Sequence, residues 1–257
     1  AIAWRVKHGG AANAGYWGSL PVVAETWDGW LSDINGFHVK PEHAMNAIAN
    51  AKPGPVAEGN VGGGTGMICH EFKCGTGTSS RIVDVLSKAY TVGVLVQANY
   101  GVRETLRVAG VPVGLEITHD QAYDTPQAPS GDTGSIIIVV ATNAPLLPHQ
   151  LKRLARRAAL GLARNGSYAG NGSGDIFIAF STANDPASRS DALALLEMVP
   201  NDEIDPLFLA TVQATEEAII NAMIAAKDIT GNEGNSAKAI RHDELRAVLK
   251  KYNRLAN

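Results

Sequence analysis

Apolar and polar positions divide the chain into short strand-like runs and longer helix-like stretches. Runs rich in β-branched residues predict four strands, at 80–85, 90–99, 136–142 and 175–182. Stretches with helical apolar spacing or helix-start signals predict four helices, at 41–50, 147–164, 205–227 and 242–255. No internal repeat interrupts this order. The pattern therefore predicts one domain in which helices cover a sheet, an α/β sandwich.

The third strand follows an abrupt change in the sequence. Residues 124–133 contain two prolines and a glycine and predict a surface loop, and Gly134-Ser135 then leads directly into the strand. If the backbone were cut before Ser135, that residue would carry a free α-amine beside its hydroxyl, as N-terminal nucleophiles do. Ordinary turn chemistry followed by β propensity also produces a serine at this point. Ser135 alone therefore does not distinguish an N-terminal nucleophile from an ordinary serine at a strand start, and other residues of the chain must be considered.

Ser173 and Asp175 lie at the start of the fourth strand. In an extended segment, side chains two residues apart point to the same face, so a hydroxyl and a carboxylate would be presented together. A simple turn at 171–174 capped by Asp175 is the alternative. Strand, helix and strand in succession favour a parallel crossover, which places both strand starts on one sheet edge. We therefore expect Ser135, Ser173 and Asp175 to converge.

Charge and hydropathy limit the partners of the protein. The formal net charge is −3, so the whole chain exerts no strong attraction on nucleic acid or an anionic membrane surface. No apolar run reaches the ~18 residues that a bilayer requires. We expect neither a nucleic-acid nor a membrane partner.

Metals and cofactors are also not expected. Cys69 and Cys74 form C-x4-C, which is neither a zinc nor a redox motif, and we expect two ordinary small residues, buried or half-buried, that behave as free cysteines do. His70-Glu71 lacks the second histidine of a zincin. The glycine-rich run 62–66 lacks both the preceding strand of a dinucleotide fingerprint and the Gly-Lys-Ser/Thr of a P-loop. It predicts close backbone packing or a loop that lines a substrate site.

Three stretches, 61–73, 96–101 and 134–151, resemble the DmpA-type peptidases, which include L-aminopeptidase D-amidase/D-esterases and β-peptidyl aminopeptidases. The likeness covers nearly the whole chain. It implies an αββα four-layer sandwich of the DmpA/ornithine acetyltransferase type, with residues 1–257 forming a single domain. It also implies self-cleavage between Gly134 and Ser135 into an α part, 1–134, and a β part, 135–257. Family members have residues upstream of Ala1, so we expect the α part to be N-terminally incomplete.

The resemblance also implies catalytic roles. Ser135 matches the nucleophile, Ser173 the second catalytic serine, and Asp175 an acidic partner that is Glu in some relatives. Asn99 matches the amide of the oxyanion hole. The residue that accepts the serine proton stays open between the new α-amine, which titrates near pH ~7.7–8.0, and Ser173 polarised by Asp175.

Two further positions match the substrate-binding residues of the family. Glu25 matches the carboxylate that holds the free ammonium of the substrate, which favours peptides with an unblocked amino terminus. Trp27 lies where some members have a tyrosine whose hydroxyl assists the oxyanion. An indole donates only through its ring N–H, so that role is lost or passed to another group here.

The resemblance therefore implies a serine aminopeptidase that acts without cofactor on short peptides, amides or esters through an acyl-enzyme on Ser135, with β-peptidyl aminopeptidase activity preferred. An L-aminopeptidase/D-amidase/D-esterase is the alternative. An acyltransferase like the ornithine acetyltransferases, which use threonine, and a non-catalytic scaffold fit less well. We also expect a homo-oligomer of αβ units. The compartment, bacterial periplasm or cytoplasm, stays open.

Overall fold

The computed structural model of the protein describes Ile2 and residues 21–123, 131–132, 134–188 and 192–255. The start of the chain, where the sequence is typical of a helix end, lies outside these ranges apart from Ile2. So does most of the predicted loop at 124–133.

The centre of the fold is a four-stranded sheet, preceded by a small hairpin of β1 (Ile68–Cys69) and β2 (Phe72–Lys73). Its strands, in spatial order, are β3 (Thr76–Val85), β4 (Lys88–Asn99), β5 (Ser135–Thr142) and β6 (Ile176–Ser181). The first three are antiparallel neighbours, whereas β5 and β6 run parallel. All four predicted strands and the predicted parallel crossover are confirmed. A second small ladder joins β7 (Ile229–Thr230) to β8 (Ser236–Ala237).

Five α-helices accompany these strands in the described ranges. They are α1 (Pro41–Ala49), α2 (Val113–Glu116), α3 (Pro148–Arg164), α4 (Asp205–Ile224) and α5 (His242–Lys251). The four predicted helices are confirmed, although α4 and α5 end three and four residues before the predicted positions. A proline in the first turn starts α1, α3 and α4, because the missing N–H has no partner there in any helix.

The core lies between the sheet and one helical layer. Helix α4 packs on β3 and β4, and α3 packs on β5, β6 and α4. Every second residue of the two central strands is buried on this face: Val92, Val94, Val96 and Ala98 from β4, and Ile136, Ile138 and Val140 from β5. The strand alternation puts Asn99 and Ser135 in the opposite phase. The candidate site therefore forms at the sheet end, away from the helical layer.

Helix α4 is, among the described residues, long and apolar enough by length and composition to cross a membrane. In this fold 61% of that window is buried. Its apolar side chains, including Leu207, Ile219 and Met223, belong to the main hydrophobic cluster. The helix thus serves as the core helix of an α/β domain.

The two cysteines correct one prediction. Cys69 and Cys74 are buried, as expected, but they form a disulfide with a Cα–Cα distance of 5.3 Å. The reason is the β1–β2 hairpin, which turns the chain back within this short separation and brings the two residues within bonding range. The C-x4-C spacing alone does not reveal such a turn.

Candidate active site

Ser135 stands where the antiparallel ladder of the sheet ends. It is the first residue of β5, and its partner is Asn99, the last residue of β4. Gly134 packs so tightly here that an added Cβ would lie 2.2 Å from the Asn99 carbonyl oxygen and 2.6 Å from the Tyr100 Cα. Only glycine fits this position without a backbone shift. The predicted scissile bond is therefore held against the end of β4.

Asn99 has a fixed side-chain orientation. Asn99 is only 5% exposed. The Oδ1 atom accepts a hydrogen bond from the Ile68 N–H at 2.8 Å, and Nδ2 donates to the Trp27 carbonyl oxygen at 2.8 Å. Because an amide nitrogen carries two hydrogens, one N–H is left to donate elsewhere. Asn99 thus presents a preoriented donor beside Gly134, in the same cavity wall.

The β6 side of Ser135 brings the other predicted residues close. The Ser135 Oγ accepts a hydrogen bond from the Gly174 N–H at 2.9 Å, and Gly174 lies between Ser173 and Asp175. The Asp175 Oδ1 accepts one from the Ile136 N–H at 3.1 Å, whereas its Oδ2 is buried without a hydrogen-bond partner. The expected convergence is thus observed at the level of the chain segments. Within the described chain, no hydrogen bond joins the Ser135 hydroxyl to the side chain of Ser173 or Asp175.

Glu25 and Trp27 flank a buried anchor. Thr26 is 5% exposed and accepts a hydrogen bond from Gln97 Nε2 at 2.7 Å, which fastens this irregular segment to β4. Its two neighbours consequently point away from the contact, and both are exposed. Trp27 reaches the wall of the cavity at Asn99. Glu25 is exposed and is not among the residues that line that cavity.

The cavity beside Asn99 and Gly134 has a volume of about 180 Å³. Its wall includes three residues that the sequence analysis did not place in a site: Glu71, Tyr100 and Asp132. Nothing local in the sequence distinguishes them, since each follows ordinary turn or strand chemistry. No group of three or more His, Cys, Asp or Glu side chains in the described ranges is placed to hold a metal ion.

Tyr100 is a buried polar residue under the site. Its hydroxyl has no hydrogen-bond partner. Burial raises the pKa of this phenol well above its ordinary value, and the carboxylates of Asp175 and Asp132 raise it further. The hydroxyl therefore stays protonated. The edge of its ring meets His70, with ring centroids 4.9 Å apart.

His70 and Glu71 form the turn of the β1–β2 hairpin. Both residues have positive φ, 47° and 63°, as a type I′ hairpin turn requires. The His70 N–H donates to the Tyr100 carbonyl oxygen at 2.7 Å, which ties the turn to the chain just after Asn99. Burial lowers the pKa of His70 to about 4, so its ring is neutral near neutral pH. Together with the disulfide, this turn supports the β4 side of the site.

The glycine-rich run serves backbone packing, one of the two roles expected for it. A Cβ on Gly64 would lie 2.4 Å from the Thr76 nitrogen, so the loop lies directly on the start of β3. The buried Lys73 donates to the carbonyl oxygens of Gly64 and Met67 at 3.0 and 2.8 Å. The loop thereby holds β1, whose Ile68 orients Asn99.

Solved structures share this fold. The L-aminopeptidase D-Ala-esterase/amidase from Ochrobactrum anthropi, described as a variant of the Ntn hydrolase fold, matches 99% of this chain and 70% of its own with a TM-score of 0.90 and 49% identity. A β-aminopeptidase from Burkholderia sp. matches 97% of this chain and 69% of its own, with a TM-score of 0.85 and 47% identity. The fold is thus an α/β sandwich of the N-terminal-nucleophile hydrolase type, as expected. Its described part supplies one four-stranded sheet, two small two-stranded ladders and one helical layer on the main sheet.

The family follows from the sequence comparison. The model of peptidase family S58 matches residues 1–237, and the chain belongs to this family. The β-peptidyl aminopeptidase BapA of Sphingosinicella microcystinivorans is 57% identical over 247 residues, which cover 92% of this chain and 62% of the relative. BapA of Sphingosinicella xenopeptidilytica is 48% identical over 240 residues, or 90% and 60%. The chain therefore spans about three fifths of the length of these relatives.

Proposed function

We propose that this protein cuts its own chain between Gly134 and Ser135 and then acts as a serine aminopeptidase on short peptides, amides or esters. The observation that carries this proposal is the end of the β4–β5 ladder. There a serine at a strand start, an obligatory glycine before it and an oriented Asn99 amide lie together.

Self-cleavage begins with attack of the Ser135 Oγ on the Gly134 carbonyl carbon. The new C–O bond forms, the C–N bond to Ser135 breaks, and the serine proton passes to the departing amine. Water then hydrolyses the resulting ester, which leaves a carboxylate on Gly134 and a free hydroxyl and amine on Ser135. Cleavage thus creates an α-amine that is partly neutral near pH ~7.7–8.0 and able to accept a proton.

Peptide hydrolysis reuses the same hydroxyl. Ser135 Oγ attacks the substrate carbonyl, and its proton moves to the α-amine or through Ser173 toward the leaving amine. The free N–H of Asn99 donates to the oxyanion, a contribution worth ~3–4 kcal/mol in transition-state stabilisation. Asp175 orients the Ser135–Ile136 segment through its bond to the Ile136 N–H. Water releases the acyl group in the second half of the reaction.

The substrate is a short chain with a free amino terminus, whose ammonium Glu25 attracts. The likeness to two relatives named β-peptidyl aminopeptidase supports β-amino acids at the amino terminus of the substrate. The fold shared with the Ochrobactrum enzyme favours a second candidate, an L-aminopeptidase with D-amidase and D-esterase activity. The α and β parts stay associated as one unit, and these units assemble into a homo-oligomer.

The mass of the purified, denatured full-length protein tests the proposal. We expect one fragment that ends at Gly134 and another that begins at Ser135, and a single intact chain for Ser135→Ala. An intact wild-type chain would refute self-cleavage. Hydrolysis of β-alanyl, L-alanyl and D-alanyl p-nitroanilides then separates the two candidates. If the protein hydrolyses none of the three anilides, the aminopeptidase proposal is contradicted.

A further inference from the structure

Asp132, three residues ahead of Ser135, belongs to the segment that the sequence interprets only as a surface loop. In the structure Asp132 is only 8% exposed. Its Oδ1 accepts a hydrogen bond from the Gly101 N–H at 3.0 Å. Gly101 follows Asn99 by two residues, so this carboxylate binds the chain just past the end of the β4–β5 ladder. The Asp132 side chain thus accepts an N–H that a neighbouring strand would accept if the ladder continued.

Asp132 also contacts the turn that carries Ser173. A Cβ on Gly170 would lie 2.6 Å from the Asp132 carbonyl oxygen, so the two backbones are in close contact. The Gly170 carbonyl oxygen in turn accepts the Ser173 N–H at 2.8 Å. Asp132 is therefore clamped between the end of β4 and the Ser173 turn. Two residues later, Gly134 is pressed against the Asn99 carbonyl oxygen.

We propose that Asp132 is a positioning residue for self-cleavage, an inference that rests on the proposed function above. Attack on the preceding carbonyl requires the Ser135 Oγ and the Gly134 carbon to meet in one orientation, at about 3–3.5 Å. The bond from Gly101 to Asp132 restrains the segment that delivers this carbonyl. After cleavage, Asp132 and Ser135 lie on separate chains. A peptide substrate brings its own carbonyl, which the Gly101–Asp132 bond does not hold, so peptide hydrolysis depends less on this restraint than self-cleavage does.

The test compares the rate of self-cleavage with the activity of the cleaved enzyme. The full-length protein is translated in vitro, and the cleaved fraction is followed by mass after denaturation. Asp132→Ala is expected to slow cleavage by about tenfold or more, because the reacting groups lose their alignment. Asp132→Asn keeps the Oδ1 acceptor and is expected to stay within about threefold of wild type. Asp84→Ala, on the exposed part of β3, is the matched control.

The second readout is kcat/KM for β-alanyl p-nitroanilide, expressed per cleaved chain. Because Asp132 also lines the cavity and contacts the turn of Ser173, we expect some loss of kcat/KM in Asp132→Ala, but one at least about threefold smaller than the loss in cleavage rate. If too little of this variant is cleaved, its two parts are co-expressed as separate chains.

Two results would overturn the inference. Cleavage of Asp132→Ala at the wild-type rate would remove the positioning role. A matching loss of kcat/KM in cleaved enzyme would assign Asp132 to general structural support. If Asp132→Ala does not fold, Asp132→Glu is measured in its place. Self-cleavage of Asp132→Glu must then be slower than that of Asp132→Asn, because the added methylene moves the carboxylate away from the Gly101 N–H. An uncleaved wild type would instead refute the proposed function itself.

Discussion

The two sides of Ser135 are held in different ways. On the β4 side, a continuous antiparallel ladder runs from Val92–Thr142 to Asn99–Ser135, and the Asn99 amide makes two hydrogen bonds. On the β6 side, the strand begins only at Ile176. There Ser135 accepts one N–H from Gly174, and the Ile136 N–H donates to one carboxylate oxygen. The first side is the end of a regular antiparallel ladder, and the second is a turn.

This difference is consistent with separate chemical roles for the two sides, oxyanion stabilisation on the β4 side and proton transfer on the β6 side. Stabilising an oxyanion requires dipoles that do not reorient during the reaction, and under the proposed function the fixed Asn99 amide on the β4 side has this role. Under the same proposal Ser135 and Ser173 take part in proton transfer, and both are half-buried. Catalytic hydrogen bonds of this kind often tighten only when substrate is present. Four substitutions, taken from the largest expected effect to the smallest, test this separation of roles.

Asn99→Ala removes the fixed donor on the β4 side. We expect kcat/KM per cleaved chain to fall by about 10²–10³, as for other oxyanion donors. Asn60→Ala is the control, because that amide also bonds backbone groups, those of Lys227, but away from Ser135. Steady-state kinetics on a β-alanyl anilide measure both. A loss below about threefold in Asn99→Ala would remove the asymmetry between the sides.

His70, beneath the β4 side, predicts how stability depends on pH. Burial lowers its folded pKa from 6.5 to about 4, so the unfolded chain takes up the proton first as pH falls. Its contribution to stability is intact above pH 6.5 and is lost on acidification toward pH 4, up to about 3 kcal/mol. Urea unfolding of wild type and His70→Phe across this range measures the difference. The exposed His38, replaced by Gln, is the control, and equal slopes in wild type and His70→Phe would contradict the prediction.

Asp175→Asn changes the β6 side. The Oδ1 acceptor for the Ile136 N–H remains, whereas the negative charge and the acceptor at Oδ2 are lost. We expect kcat per cleaved chain to fall about tenfold, or about 1.4 kcal/mol, with KM unchanged. The exposed Asp202→Asn should show neither effect. A loss as large as that of Asn99→Ala would mean that both sides contribute equally.

Glu25→Gln is expected to have the smallest effect. Because this carboxylate is exposed, its attraction for an ammonium is screened by water and worth about 1 kcal/mol or less. We expect KM to rise about threefold with kcat preserved, and the increase should shrink at high salt. Glu42→Gln, at the start of α1, is the matched control. A large fall in kcat would place Glu25 at the reacting groups instead.

Sequence reasoning identified most of the elements because their signals are local. Proline in the first turn marked α1, α3 and α4, and β-branched runs marked β4 and β5. The same reasoning found the converging segments at Ser135 and Asp175, since the strands of a strand–helix–strand unit run parallel and begin at the same end of the sheet. It missed the Cys69–Cys74 disulfide, which depends on a two-residue turn with positive φ at non-glycine residues.

The sequence by itself determined the strands, the helices, the Gly134-Ser135 junction and the family, because each depends on residues that are adjacent or regularly spaced. Only the tertiary structure decided that Asn99 is fixed by Ile68 and Trp27, and that Glu25 points outward. It also decided that Asp132 bonds Gly101. These contacts join residues 31 to 72 positions apart or depend on a buried neighbour. No local pattern encodes them, since they follow from how the packed segments meet.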